Sequence, residues 1–125
     1  MPTFPVYNPF NGALIKEVPD QGTAEAQNAI ARAEKALPLW RAQTASQRAN
    51  ILRRWYILVL ENLEPLSRLL STEQGKPIGE ARAEVNYGAS FIEWFAEEAK
   101  RGYGDVIPAH ANDKRITVLK APLRI

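Results

Sequence analysis

Residues 71–108 read STEQGKPIGEARAEVNYGASFIEWFAEEAKRGYGDVIP, and the reading of this stretch decides the fold. Pro77 fixes its own φ and disfavours helix at Lys76, so regular helix begins at about Ile78. Gly102 and Gly104 stand where a left-handed helix exit is expected, and Lys100 and Arg101 put positive charge at the negative end of the helix dipole. Between these limits Ile78, Ala81, Val85, Ala89, Ile92, Ala96, Ala99 and Tyr103 recur every three or four residues, which makes one continuous apolar face. Phe91, Trp94 and Phe95 spread the apolar arc beyond that stripe and predict a helix contacted on two sides. Ahead of the helix, Gly75-Lys76-Pro77 reads as a helix-to-helix turn with positive φ at Gly75. A phosphate loop would need a preceding strand, an earlier glycine and a hydroxyl residue after the lysine.

Working outward, residues 1–22 carry four prolines and two glycines, so they predict extended chain rather than helix. Asn8-Pro9-Phe10-Asn11-Gly12 is a turn signal between Val6-Tyr7 and residues 13–18, consistent with a small β-hairpin. Thr23 is a candidate N-cap for a helix over 24–36, which Pro38 is expected to close, leaving Trp40 in a link. A second helix is expected after Thr44 or Ser46 and as far as about Asn62, with Ile51, Trp55, Leu58, Val59 and Leu63 as its buried stripe. Pro65 then either opens a short helix over 65–73 or kinks a longer one, with Leu66, Leu69 and Leu70 carrying the stripe on. After a polar loop at 109–113, the β-branched run at 115–120 predicts a strand ended by Ala121-Pro122. Nothing after it supplies a partner, and 123–125 end without turn or cap, so the chain is expected to be cut. The prediction is a mainly α-helical piece of three to four helices, an N-terminal β-hairpin and one C-terminal strand.

At 125 residues the chain is one domain or part of one, and a compact domain of that size buries roughly two-thirds of its unfolded surface. There is no cysteine, which excludes disulfides, thiolate metal sites and a cysteine nucleophile within these residues. No apolar run approaches the roughly 18 residues of a membrane span, and the start MPTFPVYNPF has no signal-peptide pattern. The expectation is a cytoplasmic protein with no membrane partner. Lys and Arg exceed Asp and Glu by 16 to 14, with the signs interspersed. Arg48, Arg53 and Arg54 beside Trp55 are the densest basic cluster, and Arg53 and Arg54 fall on the helix side opposite Ile51 and Leu58. Solvated arginines are ordinary there, so no nucleic-acid partner is expected.

Catalytic arrangements are sparse. His110 lies in a loop without a second histidine or a cysteine, so it reads as a solvated side chain rather than a metal ligand. Glu80/Glu84, Glu93/Glu97 and Glu97/Glu98 share an exposed helix face, where Glu97 is also within reach of Arg101. Acid/base work would need a cleft and an apolar environment to separate their pKa values.

The run TEQGKP at 72–77, EARAEV at 80–85, FIEWFAEEAKR at 91–101 and YGDVIP at 103–108 resembles the N-terminal part of the NAD(P)-dependent aldehyde dehydrogenase superfamily, in particular its succinate-semialdehyde branch. The agreement extends back through ALPLWRAQTASQRANILRRW at 36–55 and YNPFNGALIKEVP at 7–19, and so covers nearly the whole chain in order. The resemblance implies an α/β fold in which residues 1–113 are the helical leading part of the cofactor-binding domain and 114–125 begin the bridging, oligomerising sheet. It further implies attack of a cysteine thiolate on a small aldehyde, hydride transfer to NAD or NADP, and hydrolysis of the thioester by glutamate-activated water. In the family those groups lie beyond the point where this sequence stops, so none carries over, and no cofactor is expected for these residues alone. The family is also expected to be homo-oligomeric. Two positions transfer as a substrate-access pair, Ala83 and Tyr87, beside the ordinary reading of Tyr87 as a tyrosine bridging core and surface. The alternative is a non-catalytic helical module that docks onto a partner.

Overall fold

The computed structural model describes residues 2–121. Strand β1 (Thr3–Tyr7) pairs antiparallel with β2 (Leu14–Pro19), and the register shifts between Val6 and Tyr7. The turn between them is made by its asparagines. The Asn8 side-chain oxygen accepts from the Phe10 amide at 2.9 Å and the Asn11 oxygen accepts from the Ala13 amide at 3.0 Å, while Gly12 takes a φ of 70°. The hairpin expected from the sequence is therefore present.

Helix α1 (Thr23–Ala42) differs from the expectation at both ends. Its cap is Gly22, whose amide donates to the Glu25 carboxylate at 3.0 Å, rather than Thr23. Pro38 does not close it, and Trp40 lies within its last turn. Proline removes a single donor, which frees one carbonyl, that of Glu34, on a helix with no buried residue. Strong helix formers on both sides carry the helix past it. Helix α2 (Ala45–Glu61) starts at the Thr44 cap, where the Gln47 amide donates to the Thr44 hydroxyl oxygen at 3.2 Å and the Gln47 side chain accepts from the Thr44 amide at 2.8 Å. Asn62 then separates α2 from α3 (Leu63–Gln74), with Pro65 in the first turn, so the new-helix alternative is the one adopted.

Gly75 ends α3 at φ 71°, in the left-handed region, and its amide donates to the Ser71 carbonyl at 2.8 Å. Helix α4 (Ile78–Glu98) begins directly after Pro77 as expected and tightens into a 3-10 turn at Ala99–Arg101. Gly102 has a φ of −76°, so no left-handed cap forms there: the 3-10 turn already closes the helix end. Gly104 is needed for a different reason. A Cβ on it would lie 1.8 Å from the Val118 carbonyl oxygen, because β3 (Asp105–Ile107) passes against β4 (Ile116–Val118) at that point. The strand expected near the C-terminus therefore does have a partner, and it precedes the strand in sequence. Asp105, Val106 and Ile107 face Val118, Thr117 and Ile116 across an antiparallel pair. The terminator role of Pro122 and the abrupt end at 123–125 lie outside the described residues.

The inner face of α4 packs against α2 and α3. Every expected member of that face from Ile78 to Ala99 is buried or half-buried, with Ala81, Ala89 and Ala96 fully so, whereas Tyr103 lies past the helix and is exposed. The remaining buried residues are Ala49 and Ser67, whose hydroxyl donates to the Leu63 carbonyl at 2.7 Å. Small residues at the fully buried positions let the helix backbones approach closely there. The stripe expected for α2 holds only at its C-terminal end: Val59 and Leu63 are half-buried, but Ile51, Trp55 (56% exposed) and Leu58 are exposed, and Ala49, Leu52, Tyr56 and Leu60 take the inward positions instead. Leu66 and Leu69 of α3 are exposed as well. Periodicity identifies an apolar stripe but cannot choose between two on one helix.

The surface bears out that picture. The chain exposes 10030 Å², where a compact 14.0 kDa domain exposes roughly 6,700 Å². Relative to an unfolded surface of roughly 20,300 Å², about half is buried rather than the two-thirds expected of a compact domain.

Candidate functional site

Ala83 and Tyr87 stand one helical turn apart on α4, both on its exposed side. The Tyr87 ring meets Phe91 edge to face, with centroids 4.8 Å apart and planes at 79°. Tyr87, Ser90, Phe91, Glu93, Trp94 and Phe95 line a surface concavity of about 460 Å³. Ala83 is not part of its lining. The walls are aromatic, Glu93 is the only charged side chain among them, and the Ser90 hydroxyl is committed to the Tyr87 carbonyl at 2.7 Å. Such a surface can hold an apolar body. It presents no nucleophile paired with a base, so it has no means of its own to make or break a bond.

Ion pairs link α4 to α2, α3 and its own flanking turns. Glu64 of α3 accepts a two-pronged bond from Arg82, Nε at 2.6 Å and Nη2 at 3.0 Å. The Arg82 hydrogen bond holds the Glu64 carboxyl below its ordinary value, and the same bond raises Arg82 above its own. Lys76 pairs with Glu84, which ties its ammonium to a carboxylate and supports the turn reading of Gly75-Lys76 over a phosphate loop. Glu97 is shared by Arg53 of α2 and Lys100 of the 3-10 turn, whereas Arg101 pairs with Glu98. The expected Glu97–Arg101 pair is thus not formed, because Arg53 reaches Glu97 from the neighbouring helix. Arg101 is raised above its usual value first by the Glu98 hydrogen bond.

His110 is exposed, and among the described residues no group of three histidine, cysteine, aspartate or glutamate side chains could hold a metal ion. Among the described residues no glycine-rich turn joins a parallel strand to a helix, the cradle of a doubly wound dinucleotide site, and both strand pairs are antiparallel. A second concavity, of about 480 Å³ between Trp40, Arg41, Arg48, Gly102, Lys120 and Ala121, is basic but lacks that backbone cradle.

A hairpin, four helices and a second antiparallel strand pair leave an apolar helix face turned outward and more surface exposed than a closed domain of this mass. The family model described as aldehyde dehydrogenase family matches residues 2–124, and the chain belongs to that family. It is 57% identical over 123 residues to a glutarate-semialdehyde dehydrogenase of Pseudomonas putida, covering 98% of this chain and 26% of that one. It is 53% identical over 120 residues to a succinate-semialdehyde dehydrogenase (NADP(+)) of Escherichia coli, covering 96% and 25%. Among solved structures, the succinate-semialdehyde dehydrogenase of Burkholderia pseudomallei superposes with a TM-score of 0.93 at 50% identity, over 97% of this chain and 25% of that one. The chain spans about a quarter of the length of the relatives it matches.

The outward aromatic set is what the sequence reading did not place. Its signal was available in the second arc of Phe91, Trp94 and Phe95, which predicted contact on two sides; among the described residues the outer side stays open. The pairing of Glu97 with Arg53 had no sequence signal, since the two lie 44 positions apart.

Proposed function

We propose that these residues form the N-terminal part of a semialdehyde dehydrogenase subunit and have no dehydrogenase activity by themselves. The single observation that carries this is the match over 97% of the chain, at a TM-score of 0.93, to a quarter of a succinate-semialdehyde dehydrogenase. The chain holds no cysteine to serve as the nucleophile. On this reading residues 1–113 belong to the leading part of the cofactor-binding domain and 114–125 to the bridging sheet. The β3–β4 pair straddles that division. NAD or NADP, a small aldehyde with a distal acidic group, homo-oligomeric assembly and a cytoplasmic setting are properties of the whole subunit under this proposal. Ala83 and Tyr87 are its substrate-access residues, supported by the exposure of both and by the aromatic concavity beside Tyr87. Relatives named for glutarate as well as succinate semialdehyde leave both as candidate substrates.

The test is NAD(P)H formation by the purified 125-residue chain with succinate semialdehyde and with glutarate semialdehyde. The expected rate equals that of a protein-free control, and turnover above it overturns the proposal.

A further inference from the structure

The hairpin turn places side by side two residues that suit its shape and are chemically reactive together. Gly12 stands at a φ of 70°, in the left-handed region that strains any side chain, and the Asn11 oxygen caps the turn by accepting from the Ala13 amide at 3.0 Å. Asn11-Gly12 is the one asparagine–glycine pair in the sequence. In such a pair the amide nitrogen of the glycine can close a ring on the asparagine side chain with no Cβ in the way. Both residues are exposed, and a Cβ built on Gly12 would meet nothing within 4 Å, so packing does not shield the pair.

Hydrogen bonds do shield it. The Gly12 nitrogen must lose its proton to attack, and it donates that proton to the Asn8 carbonyl oxygen at 2.8 Å. The Asn11 side chain is held on the Ala13 amide instead of rotating freely. Two further bonds close the turn around both groups. The Asn8 amide donates to the Ala13 carbonyl at 2.9 Å, and the Asn8 side-chain oxygen accepts from the Phe10 amide at 2.9 Å.

We propose that Asn11 is a site of spontaneous deamidation held in check by the folded hairpin, so that its conversion follows opening of the 8–12 turn. In the opened turn the Gly12 nitrogen bonds to Asn11 Cγ, the Cγ–Nδ2 bond breaks, and the side-chain nitrogen leaves as ammonia with the proton that Gly12 gives up. Water then opens the resulting imide at one of its two carbonyls. Cleavage between the Gly12 nitrogen and Cγ yields aspartate, which keeps an oxygen to cap the turn. Cleavage between the same nitrogen and the backbone carbonyl carbon yields isoaspartate, which adds a carbon to the main chain. That added length falls in a hairpin whose register already shifts between Val6 and Tyr7, beside Pro9, which lies against Gly75 of the α3–α4 turn.

The test compares the 125-residue chain with a synthetic peptide of residues 1–16 at one mildly alkaline pH and one temperature. The peptide serves as the open turn, because an isolated hairpin is marginally stable at best in water. Trypsin releases the same residues from the chain, since Lys16 is its first lysine or arginine. The only other amide side chain in them is Asn8, and Pro9 has no N–H with which to attack it. A gain in mass, or isoaspartate labelled by its methyltransferase, therefore reports Asn11. The chain is expected to convert about tenfold or more slowly than the peptide, the factor expected from breaking two hydrogen bonds. Asn8→Ala, which removes the acceptor of the Phe10 amide, is expected to speed conversion in the chain severalfold at unchanged far-UV circular dichroism. Equal rates in chain and peptide, no conversion in the peptide, or a rate in the chain indifferent to Asn8→Ala each overturns the proposal.

Discussion

Replacing Ala81 by leucine tests whether close helix approach holds this fold together. Ala81 is fully buried in the first turns of α4, on the face that packs against α2 and α3. A leucine adds three carbons where the neighbouring contacts leave room for a methyl group, and forcing such a side chain into a packed site costs about 1–3 kcal/mol. For a chain of this length that corresponds to a fall in Tm of about 4–12 °C. The control is Ala83→Leu, the same change on the same helix two residues on, at an exposed position. Alanine and leucine have similar helix propensity, so the control is expected to stay within about 0.5 kcal/mol of the parent. Urea and thermal unfolding followed by far-UV circular dichroism measure both. Equal midpoints for the two variants would refute the close-packed reading of the inner face, because the only difference between them is what surrounds the new side chain.

The turn between α3 and α4 gives a second prediction. Gly75 has a φ of 71° and a Cβ there would lie 2.9 Å from Pro9 Cγ, so Gly75→Ala is expected to destabilise by about 1–2 kcal/mol through left-handed strain, with the hairpin turn displaced as well. Unchanged stability, together with unchanged hydrogen exchange in the 8–13 turn, would count against it. A third concerns acid. Arg82 lowers the folded-state pKa of Glu64 from its ordinary 4.5, so the pair's contribution is present above that value and is lost as pH falls through the lowered one. A carboxyl titration by NMR should place the Glu64 midpoint below free glutamate, and Arg82→Gln should return it upward. A midpoint at or above the free value would show that the two-pronged bond does not persist in solution.

Local chemistry explains which elements could be read from residue order. Pro77, Thr44 with Gln47, Gly75 and the asparagines of the 8–13 turn act through their own backbone or within a few residues, so the sequence alone determines the starts of α2 and α4, the end of α3 and the hairpin. The order of motifs likewise determined the family. What tertiary structure decided is which side of α2 turns inward. The stripe through Ala89 that the sequence marks on α4 is the buried one, whereas on α2 only the packing against α4 selects Ala49 over Ile51 as core. It also decided the partner of β4, since hydrogen bonding to β3 depends on the chain doubling back after Gly104. Helix α1 running through Pro38 belongs here too, because the cost of one missing donor can be borne only where the freed carbonyl meets water. Ala83 and Tyr87 show the same division. Residue order set Ala83 and Tyr87 one turn apart, and packing left the side of α4 that carries them uncovered. Spacing is a property of the chain, but burial belongs to whatever the chain is packed against.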